Sequence, residues 1–365
     1  MYRRGMTWIA LWSATWLTSA AAADIELVGL WFRQAPPAES SVYVPVSYDA
    51  ALADTSDEWS DEGGGCYGGC HAGCCGGDCG CGGGCGGACC GRGSLLGFIQ
   101  PTDLCWSGFI SPMTNPVFFE DPRTLTEARL IFLHHKLPSL LGGAVPSSDV
   151  QVVALQLRAA LTDDLSIIAT KDGFIFASPD APLDDGWADV ALGLKYNLYK
   201  DPVAQQIVSA GVTFELPTGS TRARQGTGDG EFNLFLTGGT QLGDYSHLIS
   251  AAGFRLPTHR GEESSVFYWS NHIDRQLLSR VYGFLECNWY HWMGSGRNGI
   301  PGVEGVDLFN FGSTGVSGND IVTGAFGFKI KPTPWQEIGV AWEVPLTERR
   351  DILENRLTAD WIVRY

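Results

Sequence analysis

The chain has 365 residues, 47 of them glycine, with 12% aromatic residues and a formal charge of −16. Binding to phosphate needs a net basic surface, so nucleic acid is excluded as a partner. No interior run of about 20 apolar residues occurs, which excludes a transmembrane helix. Much of the acidity lies in residues 54–62 and says nothing about a cationic substrate.

Residues 1–23 read as a secretory signal. Arg3 and Arg4 are followed by a short apolar, Trp-containing stretch and a small-residue site, Ala21-Ala22-Ala23. Export implies a compartment where disulfides persist. Residues 24–94 are too polar and glycine-rich to build a core, and are expected to be disordered. They carry an acidic stretch and a Gly/Cys tract with Cys66, Cys70, Cys74, Cys75, Cys79, Cys81, Cys85, Cys89 and Cys90. Together with His71 these thiols are candidate ligands for soft metals, although glycine spacers fix no geometry. Disulfides and plain low complexity are the competing readings. No cofactor is expected. Residues 95–125 are apolar and interrupted by proline, and form a candidate plug for a larger body.

From residue 126 to the end, period-two alternation recurs, the mark of strands with two unlike faces. Val190, Leu192, Leu194, Tyr196 and Leu198 alternate with Asp189, Ala191, Gly193, Lys195 and Asn197. The same pattern holds at 208–216, 231–242, 322–330 and 338–344, and less cleanly at 125–135, 165–176 and 281–292. Strands of about ten residues suit a tilted bilayer crossing, whereas soluble strands run about five or six. Short connections at 162–164, 200–202, 243–245, 274–276 and 333–335 alternate with long ones at 139–149, 179–186, 219–230, 258–265, 294–319 and 348–355. The fold class expected is all-β: an antiparallel transmembrane β-barrel of about twelve strands spanning 126–365, with both termini on the short-turn, periplasmic side.

If the apolar faces meet lipid, the opposite faces place Arg158, Asp189, Lys195, Glu215, Glu231, Arg255, Lys329, Glu343, Arg356, Asp360 and Arg364 toward the interior. These charges either line a wet pore and set its selectivity, or pair across a narrow lumen and close it. A narrow or partly plugged channel is the favoured form. Tyr268-Trp269 and Trp289, Tyr290 and Trp292 are read as an interfacial girdle rather than a stacking site. His134-His135 and scattered serines lack a nucleophile elbow, so no enzyme is expected. Loop 218–230 is glycine-rich without a phosphate-loop ending, and is read as exposed.

The last strand sets Leu357, Ala359, Trp361, Val363 and terminal Tyr365 on one face. That arrangement resembles the C-terminal assembly signal of outer-membrane proteins, which implies the barrel-assembly machinery and outer-membrane lipid as partners. On SPMTNPVFFEDPRTLTEARLIF (111–132), the Phe-Glu-Leu-Pro-Thr-Gly strand end (214–219) and the final strand, residues 97–365 resemble outer-membrane transporters grouped with the phenol-degradation meta-pathway family, particularly its planctomycete branch. The resemblance implies an outer-membrane channel or transporter for small hydrophobic or aromatic solutes, with no site residues to carry over. The alternatives are a structural barrel with a closed lumen and a Cys-rich tethering or metal-binding arm, and a secreted soluble β-protein.

Overall fold

A computed structural model describes residues 94–365. The expectations for the signal, the acidic stretch and the Gly/Cys tract lie outside the described residues.

Among the described residues, fourteen strand segments follow in chain order: β1 (Glu127–Leu137), β2 (Ser148–Ala160), β3 (Leu165–Lys171), β4 (Phe174–Ala177), β5 (Gly186–Trp187), β6 (Val190–Asp201), β7 (Gln206–Leu216), β8 (Glu231–Gln241), β9 (Ser246–Pro257), β10 (Ser265–Leu278), β11 (Val281–Gly294), β12 (Asp320–Thr333), β13 (Gln336–Pro345) and β14 (Asn355–Arg364). Each pairs antiparallel with its neighbours, and β14 returns to pair with β1, from Glu127 opposite Arg364 to Lys136 opposite Asn355. The sheet is thereby closed and has no free edge. β3 and β4 lie end to end along β2, and β5 and β6 along the next position, so the wall is a barrel of twelve strands.

The interruption between β3 and β4 has a local cause. Gly173 takes φ +114°, a region closed to most side chains, and a Cβ there would meet the Val153 carbonyl. Beside it, Asp172 Oδ1 accepts the Leu155 N–H at 2.8 Å, so a carboxylate replaces the missing ladder partner.

Side chains alternate as the pleat requires. Leu192, Leu194, Tyr196, Leu234, Leu236, Phe326, Phe328, Trp361 and Val363 are exposed on the outer face, while their sequence neighbours are buried inside. β1 and β2 are less regular in sequence because their inner faces are also apolar: Ile131, Leu133, Leu137, Val150 and Val152 join an internal cluster. Short connections lie at one rim and long ones at the other, with Glu127 and Arg364 together at the short-turn rim.

Three expectations are corrected. Residues 274–276 are not a turn. Pairing continues through them, Asp274 opposite His247 and Phe284, and the chain reverses after Leu278. The five aromatics do not form one girdle. Trp269 faces outward at 37% exposure and Trp289 is partly exposed, but Tyr268, Tyr290 and Trp292 point inward and are buried. Alternation decides this, since residues one apart must face opposite ways. The third correction is loop 218–230, read as exposed: it is mixed, with Ala223 and Gln225 buried and Arg222 and Arg224 exposed. The long loop 294–319 turns inward over part of its length: Glu304, Val306, Asp307, Leu308, Phe309, Asn310 and Phe311 are all buried.

Candidate functional site

The interior is filled by chain that belongs to no wall strand. Residues 109–126 are buried without interruption. Apart from a short 3₁₀ turn, Leu104–Trp106, capped by the Asp103 carboxylate, residues 102–126 form no helix or strand of their own. Their backbone polar groups therefore need partners from the wall. Glu286 on β11 accepts the N–H groups of Met113 at 2.7 Å and Thr114 at 2.6 Å. Glu337 on β13 accepts that of Ser111 at 3.1 Å. In return the segment's carbonyls accept from the wall: Pro112 from Arg129 at 2.8 Å, Pro116 from Gln156 at 2.8 Å, Glu120 from Thr237 at 2.7 Å and Pro122 from Ser209 at 2.6 Å. These partners sit on β1, β2, β7, β8, β11 and β13, so the segment is held from all round the barrel.

Charged groups near the short-turn rim form an unbroken alternation. Lys195 meets Glu120 at 2.8 Å, which meets Arg158 at 2.6 Å, which meets Glu127 at 3.0 Å. Glu127 meets Arg364 at 2.9 Å, and Arg364 meets Glu337 at 2.6 Å. Lys329 bridges Glu337 at 3.5 Å to Asp360 at 2.9 Å, and Arg129 reaches Asp360 at 2.8 Å. Every member is nearly inaccessible to solvent. Unpaired, such charges would lose hydration without compensation; in alternation each has counter-ions on both sides or at an end. Only Glu120 in this chain comes from the inner segment.

A second group lies toward the long loops. Arg356 meets Asp307 at 2.8 Å and Glu343 at 3.6 Å, and Glu343 also accepts from Thr323 at 2.6 Å and Asn288 at 3.1 Å. Glu231 accepts from Asn310 at 2.6 Å and lies 3.6 Å from Arg255. The Arg255 guanidinium sits 5.4 Å from the ring centres of both Phe118 and Trp292, and Nη1 donates to the Phe309 carbonyl at 3.3 Å. One wall arginine thus touches both the inner segment and the inward loop. Glu215 pairs with Lys171. Asp189 accepts the N–H groups of Gly219 at 2.7 Å and Gly226 at 2.9 Å, pinning loop 217–230.

All eleven inward charges named from the sequence therefore point into the barrel and meet partners there. Glu120, Glu127, Arg129, Lys171, Asp307 and Glu337, which complete pairs with them, are not among the residues the sequence points to. Glu127 and Arg129 carried a usable signal, being two apart and in phase with inward Ile131. Glu120, on a segment with no periodicity, carried none. Four further groups form a buried array on the wall: His247 to Asp274 at 2.8 Å, Asp274 to His272 at 3.4 Å, and His272 to Glu286 at 2.7 Å. It ends on the carboxylate that holds Met113 and Thr114.

Between the inner segment and the wall, Val117, Ile131, Leu133, Val152, Ile175 and Phe309, with Gln156 and Lys171, line a small cavity of about 30 Å³. That is room for a water or two and not for a solute. His135, buried, donates from Nε2 to the Ile352 carbonyl (2.9 Å) and accepts from Arg356 at Nδ1 (3.1 Å), a structural role. Leu357, Ala359, Trp361 and Val363 face outward on β14.

No protein-family model matches the chain, and no curated protein matches it. Among solved structures, an outer-membrane channel from Pseudomonas putida F1 aligns over 70% of this chain and 100% of its own, with 14% identity and a TM-score of 0.50. The KdgM porin aligns over 65% of this chain and 99% of its own (10% identity, TM-score 0.39), and the outer-membrane channel DcaP of Acinetobacter baumannii over 66% and 95% (9%, 0.32). The first likeness establishes the fold, an outer-membrane-type β-barrel.

Proposed function

We propose that the protein is an outer-membrane channel for small molecules that rests in a closed state, with residues 102–126 as its plug. The observation that carries this reading is the division of the lumen. A complete twelve-strand wall encloses a segment that adds nothing to the sheet and is held by polar contacts to wall side chains. Taking Glu120 away leaves Lys195 and one face of Arg158 without their counter-ion, on a wall otherwise lined by ionised groups, which water would fill. The continuous apolar outer face supports a site in the outer membrane, in contact with lipid. The internal apolar surface around Ile131, Val152 and Ile175 supports solutes with an apolar or aromatic part, in keeping with the resemblance to phenol-pathway transporters. Both wall termini at the short-turn rim favour a periplasmic N-terminal extension, and the outward face of β14 suits recognition by the assembly machinery. We assign the protein no catalytic role.

The rival reading is a permanently closed structural barrel, favoured by the density of bonds on the inner segment. Planar-bilayer recordings separate the two. The intact protein should conduct poorly, and a variant lacking residues 102–124 should open discrete conducting steps. A deletion variant that still shows heat-modifiable migration yet remains silent in the bilayer would sink the channel reading.

A further inference from the structure

We propose that the mouth formed by the long loops binds small zwitterions bearing an apolar group, of which an α-amino acid with an aromatic or branched side chain is the simplest. A cavity of about 340 Å³ opens there, within the size range of small-molecule sites. It draws its lining from four separate connections: Leu183 from 178–185, Arg224 from 217–230, Glu262 from 258–264, and Asn298, Ile300 and Phe311 from loop 294–319.

The two charges have different surroundings. Arg224 meets no carboxylate within ion-pairing distance among the described residues, and its Nε donates only to the Pro182 carbonyl at 3.4 Å. Arg222, in the same turn, does have an acid, Asp184 at 3.5 Å. Arg224 is also held in place. It closes the Thr221–Ala223 turn with φ 57°, a left-handed conformation that a non-glycine residue keeps only under constraint. The constraint is on either side: Asp189 binds Gly219 and Gly226, and Gln225 donates to the Leu308 carbonyl at 3.2 Å. Glu262 also lines the cavity, and its carboxylate lies 3.5 Å from Nδ1 of exposed His259, a contact at the surface that a ligand ammonium would have to share.

The chemistry selects the ligand. A lone anion would suit Arg224 and be opposed by Glu262; a lone cation would meet the reverse. A neutral apolar molecule would strip water from both charges and return nothing. A molecule carrying a carboxylate for Arg224, an ammonium for Glu262 and an apolar side chain for Leu183, Ile300 and Phe311 leaves no group unmatched, and a guanidinium suits a carboxylate through paired donors. Asn298 adds a neutral amide at the rim. The site is a surface mouth, so binding does not require that the channel reading hold; if both hold, the mouth is where solute is first captured.

The test is isothermal titration of the purified full-length barrel in detergent with L-phenylalanine, 3-phenylpropionate and 2-phenylethylamine. Phenylalanine should bind, each singly charged analogue at least about tenfold more weakly, and Arg224→Gln should abolish binding while heat-modifiable migration is retained. Glu262→Gln should reverse the preference, so that phenylpropionate binds at least as well as phenylalanine. Equal binding of phenylalanine and phenylpropionate by the unaltered protein, unchanged binding by Arg224→Gln, or no heat with phenylalanine at millimolar concentration would each overturn the proposal. Because no conductance is read, failure here leaves the channel reading standing, and a silent bilayer leaves this one standing.

Discussion

Glu120 is a single side chain on which two buried cations depend. It lies between Arg158 and Lys195, all three nearly inaccessible. Replacing it with alanine removes one partner and strands the others, a loss of about 3–5 kcal/mol for a buried pair. Glu120→Ala should therefore lower the temperature at which the folded gel band disappears, and Glu120→Gln, which keeps hydrogen-bonding atoms, should lower it less. A second residue-scale expectation concerns Glu263 in loop 258–264. Burial, reinforced by the Glu231 charge, pushes its carboxyl up to about 8. The folded value lies above the unfolded one, so the fold favours the protonated acid. Its contribution is complete below about pH 4.5 and is lost as pH rises through 8. Gly228 packs directly on this carboxyl. Raising the pH from 5 to 9 should lower the hydrogen-exchange protection factors of residues 226–230 and 258–264, that is, the rates corrected for intrinsic base catalysis, and Glu263→Gln should remove that loss of protection.

At the scale of elements, strands were legible wherever the two faces differ in polarity. β6, β7, β8, β12, β13 and β14 have that contrast, and their inward charges followed from it. β1 and β2 lack it because apolar packing lies on both sides at the long-loop end. The false turn at 274–276 arose from polar composition alone. Asp274 is polar because it pairs with His247 and His272 inside, not because the chain turns. The inward aromatics show the same limit. Tyr268 stacks on Phe118 with ring centres 4.8 Å apart, and its hydroxyl donates to Asn233 at 2.9 Å. It lies over β9 because Gly253 has no side chain; a Cβ there would fall on the Tyr268 ring and hydroxyl. Gly253→Val should cost about 1–3 kcal/mol through overpacking, visible as a lower melting temperature by circular dichroism.

For the whole molecule, the wall and its contents obey different rules. The wall is closed by hydrogen bonds that any alternating sequence of suitable length can make, whereas its contents are held by particular partners. If the barrel conducts once the inner segment is removed, its inward acids bias which ions pass. In that open variant, Glu215→Gln with Glu343→Gln leaves Lys171 and Arg356 without those counter-charges. Reversal potentials across a salt gradient should then shift toward anions. No shift in an otherwise conducting barrel would remove these acids from the selectivity role.

What the amino-acid sequence by itself determined was the barrel. Alternation is a local property, set by residues one and two apart, so strand positions, outward faces and the inward direction of eleven charges could be read without a structure. What only the tertiary structure decided was the state of the lumen. Whether Arg158 lines water or meets Glu120, and whether loop 294–319 projects outward or sends Asp307 down to Arg356, depends on contacts between residues tens of positions apart. Such pairings follow from closure of the sheet, which brings distant inward faces within reach of one another and leaves no trace in local periodicity.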